Sequence, residues 1–158
     1  MTVNDPIIIR PATGDDVDAI FGLLEIYTAN GIVLKRSKEN INSYLANFIV
    51  AQSNGVICGC CAARDFGHDL LEVRSLVVSP DFQGMGIGKK LVSFIIDRLE
   101  RERASWRLFT LTLQVDFFKS LGFTEVEKEI FPEKIWSDCS KCPKYHCCDE
   151  TALVMEKK

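Results

Sequence analysis

Apolar side chains recur along this chain with two spacings, one typical of helices and one typical of strands. Near the N-terminus a set of apolar residues repeats every three or four positions: Val17, Ile20, Phe21, Leu24 and Tyr27. This pattern predicts a helix that ends near Gly31, and Thr13 with Asp16 predicts a capping box at its start. Ser37 predicts the N-cap of a second helix.

Two further helices are predicted later in the chain. An amphipathic helix follows a glycine-rich turn, with one apolar face: Leu91, Val92, Ile95, Ile96 and Leu99. Its opposite face is mostly charged. A shorter helix is predicted over Val115–Leu121 and ends at Gly122.

Short apolar runs between the helices predict strands. Phe48–Gln52 and Val56–Ala62 flank Asn54-Gly55, which is the strongest short signal for a hairpin. Leu70–Val78 is a longer strand, and others are predicted over 7–10, 108–113, 123–129 and 151–156. The order β-α-α-β-β-β-α-β-α-β-β predicts a single mixed α/β domain over residues 1–158, with antiparallel strands early and helical crossovers late.

Composition narrows the class of protein. The 158 residues carry a net charge of −3, with 47% hydrophobic and 26% charged residues. A net charge this small and negative gives no overall electrostatic attraction for nucleic acid or anionic lipid. Any bound anion would therefore need a local binding site with its own positive groups. No apolar run approaches the roughly 20 residues of a transmembrane helix, and the N-terminus lacks a signal-peptide pattern. The odd count of seven cysteines then predicts reduced thiols and a cytoplasmic location.

The candidate chemistry lies where strand 70–78 runs into a turn that contains Gly84, Gly86 and Gly88 and opens a helix. Glycines let backbone N–H groups converge, and a helix N-terminus adds partial positive charge, so this segment is typical of a phosphate socket. The glycine spacing fits neither the dinucleotide fingerprint nor a P-loop. A glycine-rich turn with a purely structural role remains the alternative.

Two blocks of the sequence resemble a known family. Gln83-x-x-Gly86-x-Gly88 between a strand and an amphipathic helix is similar to the acyl-CoA signature of the GNAT superfamily. The later strand 111–113, followed by the segment 117–123 that ends in Gly122-Phe123, resembles a second block of that family. The resemblance implies the GNAT acyl-CoA N-acyltransferase fold, a central mixed and mostly antiparallel sheet flanked by helices. It also implies acetyl-CoA as co-substrate.

The resemblance further implies which residues would bind this cofactor. Main-chain groups of Leu76 and Val78, around Val77, would pair with the pantetheine arm, and Phe118 is assigned to the cofactor as well. The N–H of Leu76 would polarise the thioester carbonyl. Backbone amides of the loop would hold the pyrophosphate: Gln83, Gly84, Met85, Gly86, Ile87, Gly88 and Lys89.

A base is needed because a protonated amine has no lone pair for attack. Glu72 is the candidate, acting through a water, since Glu72, Arg74 and Leu76 share one face if the strand is regular. The alternative is a solvated strand carboxylate. Many family members supply a tyrosine in the late helix as the acid, but this chain has Phe117-Phe118 there. Either solvent protonates the leaving thiolate or no acid is needed, since a thiolate is a tolerable leaving group.

The acceptor is suggested by three features. The segment ending in Leu34-Lys35-Arg36-Ser37 resembles the L-x-R-S segment of bacterial amino-acid N-acetyltransferases, so Arg36 and Ser37 would bind a carboxylate. Arg36 exposed with Ser37 as a mere N-cap is the alternative. Arg74 would bind a second carboxylate or pair with Glu72.

The third feature is a Cys-rich C-terminal segment, 134–150, which resembles the short, kinase-less N-acetylglutamate synthases. It contains Cys139, Cys142, His146, Cys147 and Cys148. Zinc is an option at Cys139, Cys142 and Cys147, but a packed thiol-rich loop is favoured because only one C-x-x-C pair is present. A redox-active cysteine pair is the third alternative.

The sequence thus predicts an acetyl-CoA-dependent N-acetyltransferase acting on an amino acid, L-glutamate first, at the entry to arginine synthesis. Its partners would be acetyl-CoA and a small amino acid, with no nucleic acid or membrane, and a homodimer is compatible with the sequence. Two alternatives are kept: a GNAT enzyme for another amine or a protein N-terminus, and a silent acyl-CoA- or metal-binding module.

Overall fold

A computed structural model describes residues 6–28, 36–127 and 150–157 of the chain. These residues divide into two compact units, one from Met1–Ala63 with Val73–Glu102 and the other from Arg64–Glu72 with Arg103–Lys158. Among the described residues, no helix has the length and apolar character required to cross a membrane.

The first unit combines strands and helices. Strand β1 covers Ile7–Pro11, and a 3-10 turn leads into helix α1, Val17–Thr28. Helix α2, Lys38–Ser43, precedes strands β2, Phe48–Ser53, and β3, Val56–Asp65. The remaining elements of this unit are the end of β4, Leu70–Val78, and helix α3, Ile87–Glu102.

Local sequence signals account for the turns of this unit. The N–H of Thr13 donates to the carboxylate of Asp16 at 2.7 Å, which confirms the capping-box contact expected before α1. Asn54 and Gly55 have φ angles of 49° and 78°, the left-handed pair that a two-residue hairpin requires. Ser37 accepts from the N–H of Asn40 at 3.0 Å and caps α2 as predicted.

The core of the first unit is formed where α1 and α2 bury their apolar stripes. Residues of the two helices and of β2, β3 and β4 make one buried cluster: Ile20, Leu23, Leu24, Ile41, Phe48, Val50, Cys60, Ala62 and Val77. The helical spacing of the α1 residues places them on one face, so their burial follows from the sequence pattern.

The second unit holds the later strands. Strand β5 covers Trp106–Thr112 and helix α4 covers Val115–Ser120. Strand β6, Thr124–Val126, and strand β7, Thr151–Lys157, complete the unit. Strand β7 pairs antiparallel with both β5 and β6, and the first residues of β4 pair parallel with β5. Leu70, Phe109 and Ala152 are buried at its centre.

The strands form a seven-stranded, mostly antiparallel sheet with the order β1-β2-β3-β4-β5-β7-β6. This is the mixed and mostly antiparallel α/β sheet flanked by helices that was expected from the sequence, and β4–α3–β5 is its parallel crossover. The last strand of the chain lies between β5 and β6, a placement that the order of elements does not reveal.

Candidate active site

The glycine-rich turn between β4 and α3 has the backbone geometry of an anion socket. Gly84 and Gly86 have φ angles of 78° and 75°, in the left-handed region that favours glycine. A Cβ added to either glycine would meet no atom within 4 Å, so the space above the loop is open. Helix α3 begins at Ile87, and the first bond of its ladder runs from the N–H of Lys90 to the carbonyl of Gly86.

That ladder leaves the N–H groups of the first turn of α3 without intrahelical partners. They belong to Ile87, Gly88 and Lys89, and a 16-residue helix concentrates partial positive charge at this end. The loop therefore fits the phosphate groups of a nucleotide cofactor, as the sequence predicts. Lys89 and Lys90 are exposed beside it.

A hydrogen bond at the end of strand β4 shows toward which edge of the strand its last backbone groups point. The N–H of Ser79 donates to the carbonyl of Cys58 on β3 at 2.8 Å. Successive residues of a strand direct their backbone groups to opposite edges, so the N–H and C=O of Val78 point away from β3. The β4–β5 ladder, moreover, covers only three pairs, from Leu70↔Arg107 to Glu72↔Phe109.

The carbonyl of Val78 is already bonded to two side chains. The hydroxyl of Tyr27 donates to it at 2.5 Å, and the amide of Gln83 donates to it at 2.9 Å. The same amide lies 3.0 Å from the Tyr27 hydroxyl oxygen. Tyr27 thus belongs to this site although the sequence assigned it no role, because nothing local connects residues 51 positions apart.

The condition of a regular strand, on which a shared face for Glu72, Arg74 and Leu76 depended, is not met. Ser75 has a φ angle of 55°, a left-handed residue in the middle of β4. Such a residue breaks the two-residue alternation of side chains, as at a β-bulge. The premise from which a shared face was expected, a regular strand between Glu72 and Leu76, is therefore wrong. The individual roles of the three residues stay predictions.

Glu72 lies on β4 three residues before Ser75 and is only 3% exposed. It takes part in an interaction within the structure. The alternative of a solvated strand carboxylate is therefore wrong, because a carboxylate this deeply buried is held by polar or charged partners. Leu76, two residues past Arg74, is partly exposed, as are Arg74 and Val78, whereas Val77 is buried in the core.

Arg36 is held in place by several groups of the first unit. Its Nε donates to the side chain of Asn40 at 2.7 Å and its Nη1 donates to the hydroxyl of Ser75 at 3.2 Å. Its guanidinium also lies 5.0 Å from the ring centre of Phe48 and 5.8 Å from that of Tyr44. Arg36 is half-buried and directed at the left-handed residue of β4, so the alternative of a freely exposed arginine is wrong.

Two other predicted residues have structural partners. The hydroxyl of Ser37 is used as the N-cap acceptor of α2, as the alternative interpretation held. Phe118 is 2% exposed and packs edge-to-face against Phe117 and Phe123, with ring centres 5.0 and 5.2 Å away. Its assignment to the cofactor stays a prediction, since its contacts here are those of a core residue.

The cysteines of β3 behave as core residues. Cys58, Cys60 and Cys61 are free thiols with no exposed surface. Burial raises the pKa of Cys60 to about 12, and it also raises the pKa of Cys58 and Cys61. The metal option at Cys139, Cys142 and Cys147 lies outside the described residues, which themselves contain no metal-binding group.

Comparison with known proteins agrees with this geometry. The family model of the acetyltransferase (GNAT) domain matches residues 45–125, which include β4, the glycine loop and α3. An uncharacterized N-acetyltransferase from Chlorobaculum tepidum is 44% identical over 146 residues, covering 92% of this chain and 94% of that relative. An amino-acid acetyltransferase of Mycobacterium tuberculosis is 33% identical over 134 residues, covering 80% of this chain and 76% of that relative.

One solved structure extends the comparison to three dimensions. It is N-acetylglutamate synthase from Neisseria gonorrhoeae complexed with coenzyme A and N-acetyl-glutamate, with a TM-score of 0.85 and 29% sequence identity. The match covers 96% of this chain but 35% of that one, so this chain spans about a third of the synthase. The sequence motif, the fold and these matches agree: the chain belongs to the GNAT family of acetyltransferases.

Proposed function

We propose that this protein transfers the acetyl group of acetyl-CoA to the α-amino group of an amino acid, and that L-glutamate is this acceptor. The reaction would be the first step of arginine biosynthesis. The observation that carries the acceptor class is the placement of Arg36, a guanidinium fixed by Asn40 and Ser75 beside β4. A held guanidinium is suited to a carboxylate, because its forked N–H groups match the two oxygens.

The cofactor is supported by the loop geometry. The open space over Gly84 and Gly86 and the unpaired N–H groups at the start of α3 suit a pyrophosphate, which would lie across residues 83–89. Main-chain groups of Leu76 and Val78 would bind the pantetheine arm along the edge of β4 that points away from β3. Bound acetyl-CoA would supply a thioester whose acyl carbon accepts the amine.

The chain's own groups would then serve the transfer. Glu72 would take a proton from the ammonium through a water, which frees the lone pair for attack on the acyl carbon. The N–H of Leu76 would donate to the oxygen on which negative charge develops. The C–N bond forms, the nitrogen releases its second proton to solvent, the C–S bond breaks, and solvent would protonate the departing thiolate. Arg74 would face the second carboxylate of glutamate.

The named relatives support an amino acid over other amines. The Mycobacterium tuberculosis relative is named an amino-acid acetyltransferase, and the Neisseria gonorrhoeae synthase was solved with N-acetyl-glutamate. The match to the first covers 80% of this chain and 76% of that relative, and the match to the second covers 96% of this chain. The single domain over 1–158, the cytoplasmic location and a homodimer stay predictions beside this proposal.

The test is release of free CoA thiol from acetyl-CoA with a panel of single amines. The panel holds L-glutamate, L-glutamine, L-aspartate, spermidine and a short peptide with a free N-terminus. Turnover selective for L-glutamate is the expected result. Turnover with glutamine or aspartate would keep an amino-acid acceptor and correct its identity.

Other outcomes would contradict the proposal more deeply. Turnover confined to spermidine or the peptide would replace the acceptor class and leave Arg36 without its proposed role. Tight CoA binding without turnover of any amine would favour a silent acyl-CoA-binding module. The zinc content of the same sample decides the metal option at the C-terminal cysteines.

A further inference from the structure

Tyr27, Gln83 and Val78 form a hydrogen-bonded triangle at the end of β4. The Tyr27 hydroxyl and the Gln83 amide both donate to the carbonyl oxygen of Val78, at 2.5 and 2.9 Å, and the amide lies 3.0 Å from the hydroxyl. A carbonyl oxygen has two lone pairs, so these two donors saturate it. The Val78 carbonyl is therefore withdrawn from pairing with any ligand.

The Val78 carbonyl lies where the triangle can affect the proposed cofactor site. It points to the edge of β4 away from β3, where a pantetheine arm is proposed to lie, and Gln83 opens the loop proposed to hold the pyrophosphate. An uncapped carbonyl there would direct negative partial charge toward an anionic cofactor. Two donors on the oxygen reduce that charge, so the Val78 N–H is the main-chain group of this residue that could bind the pantetheine arm.

Tyr27 is suited to fix this geometry. It stands in the last turn of α1, with its ring packed against the buried cluster of the first unit. An aromatic ring held by packing places its hydroxyl with little freedom, since tyrosine has few rotatable bonds. The end of β4 and the start of the loop are thus fastened to α1 by one hydroxyl and one amide.

We propose that Tyr27 is a positioning residue for acetyl-CoA, acting through the Val78 carbonyl and the Gln83 side chain. This inference rests on the proposed function. It assigns a role to a residue of α1 that neither the glycine motif nor the family match, which begins at residue 45, contains. Tyr27 does not touch the reacting atoms in this scheme; it prepares the surface on which the cofactor lies.

The experiment measures the dissociation constant of CoA by calorimetry for wild type, Tyr27→Phe and Thr28→Val. Thr28→Val is a matched control because the Thr28 hydroxyl, one residue along the same helix, donates to the carbonyl of Leu24 within α1, at 2.8 Å. We expect Tyr27→Phe to weaken CoA roughly three- to tenfold, the span expected for one hydrogen bond, with Thr28→Val unchanged. The KM for acetyl-CoA should rise in parallel while the KM for the amine and kcat stay near wild type.

A second set of variants tests the shared acceptor. Gln83→Met removes the side-chain donor but keeps the backbone amide of the loop. Each single variant leaves the other donor on Val78, so Tyr27→Phe with Gln83→Met should weaken CoA by more than the product of the two single effects. Effects that multiply would overturn the shared cap.

The outcomes separate this inference from the proposed function. Wild type that fails to bind CoA would remove the proposed function and, with it, the role of Tyr27. Wild type that binds CoA while Tyr27→Phe binds equally well would overturn the inference alone. A drop in melting temperature of Tyr27→Phe without a change in CoA affinity would also overturn it, since the hydroxyl would then serve only the fold.

Discussion

The guanidinium of Arg36 donates to the hydroxyl of Ser75 at 3.2 Å, and Ser75 is the residue at which β4 enters the left-handed region. The backbone carbonyl of Ser75 also faces the buried thiol of Cys60, 3.6 Å away. The hydroxyl of Ser75 is therefore tied to Arg36, two residues before α2 begins, which fixes a positive charge beside the strand proposed to bind the thioester.

Replacing Arg36 by lysine should impair the acceptor more than the cofactor. Lysine retains a charge but has no planar fork, so it cannot hold Asn40 and Ser75 together and still present two N–H groups to a carboxylate. We expect the KM for the amino acid to rise roughly ten- to a hundredfold, in line with a charged hydrogen bond. The KM for acetyl-CoA should stay unchanged in the same initial-rate measurements.

Arg98→Lys provides the control, because Arg98 also places its guanidinium over a ring, that of Phe94 at 5.4 Å, on helix α3. It should leave both KM values as in wild type. A similar change of KM for both substrates in the Arg36 variant would contradict a carboxylate role and indicate a structural one.

Replacing Glu72 by glutamine should remove the proposed base without changing its size. Glutamine cannot accept a proton, so kcat at neutral pH should fall by roughly 10²–10⁴-fold, the usual contribution of general base catalysis. The affinity for CoA should be retained. The pH profile of kcat/KM, measured for both proteins, should lose its acidic limb in the variant; an unchanged profile would exclude Glu72 as the base.

Alanine at Gly86 should strain the loop and close the proposed socket. The φ angle of 75° is costly for any residue with a Cβ, by roughly 1–2 kcal/mol of unfolding free energy. The added methyl group would also stand in the open space over the loop. We expect loss of measurable CoA binding by calorimetry together with a modest loss of stability in urea.

Gly55→Ala separates these two effects. Gly55 has nearly the same φ angle, 78°, with the same free space around a Cβ, but it lies in the β2–β3 hairpin. It should lose a similar amount of stability while keeping its affinity for CoA. Equal losses of affinity in both variants would show that strain, and not the socket, is being measured.

The ion pair of Arg10 and Asp16 should make stability depend on pH. Hydrogen bonds from the Arg10 guanidinium, at 2.8 and 3.0 Å, lower the pKa of the buried Asp16 carboxyl below its usual range. A lowered pKa in the folded state means that the stabilisation is present above about pH 4, the ordinary pKa of an aspartate, and is lost as pH falls through the folded value.

Asp16→Asn should therefore lower the free energy of unfolding by about 1–3 kcal/mol at pH 7, as for a lost charged hydrogen bond. The difference from wild type should shrink below about pH 4. Urea titrations at pH 7 and at several pH values below about 4 measure this difference. The neighbouring Asp15 is exposed, so Asp15→Asn should stay within about 0.5 kcal/mol. A difference that is constant with pH would contradict the ion pair as its source.

Most elements of the fold follow from signals that act over a few residues. The helical spacing in Val17–Thr28, the Asn54-Gly55 hairpin and the Ser37 cap were all predicted and confirmed, because each depends on local backbone preferences. The boundaries of β5 and β6 shifted by a few residues. Strand ends depend on which neighbour pairs with them, and sequence alone does not contain that partner.

The site was predicted in kind but not in detail. The glycine spacing indicated the loop correctly, since left-handed backbone angles are what glycines supply. The shared face of Glu72, Arg74 and Leu76 was expected from a regular strand, and that premise was wrong. The left-handed φ angle lies at a serine, and no glycine or proline in the sequence indicates it. The burial of Glu72 likewise depends on tertiary packing around β4.

The sequence by itself determined the order of elements, the glycine loop at the start of α3 and the GNAT family, because all three depend on short, contiguous stretches of sequence. Only the tertiary structure decided that β7 lies between β5 and β6, that Arg36 reaches Ser75 and that Tyr27 caps Val78. Those contacts join residues 39 and 51 positions apart in the two side-chain cases, and such distances are closed by burial of the core, which no local preference encodes.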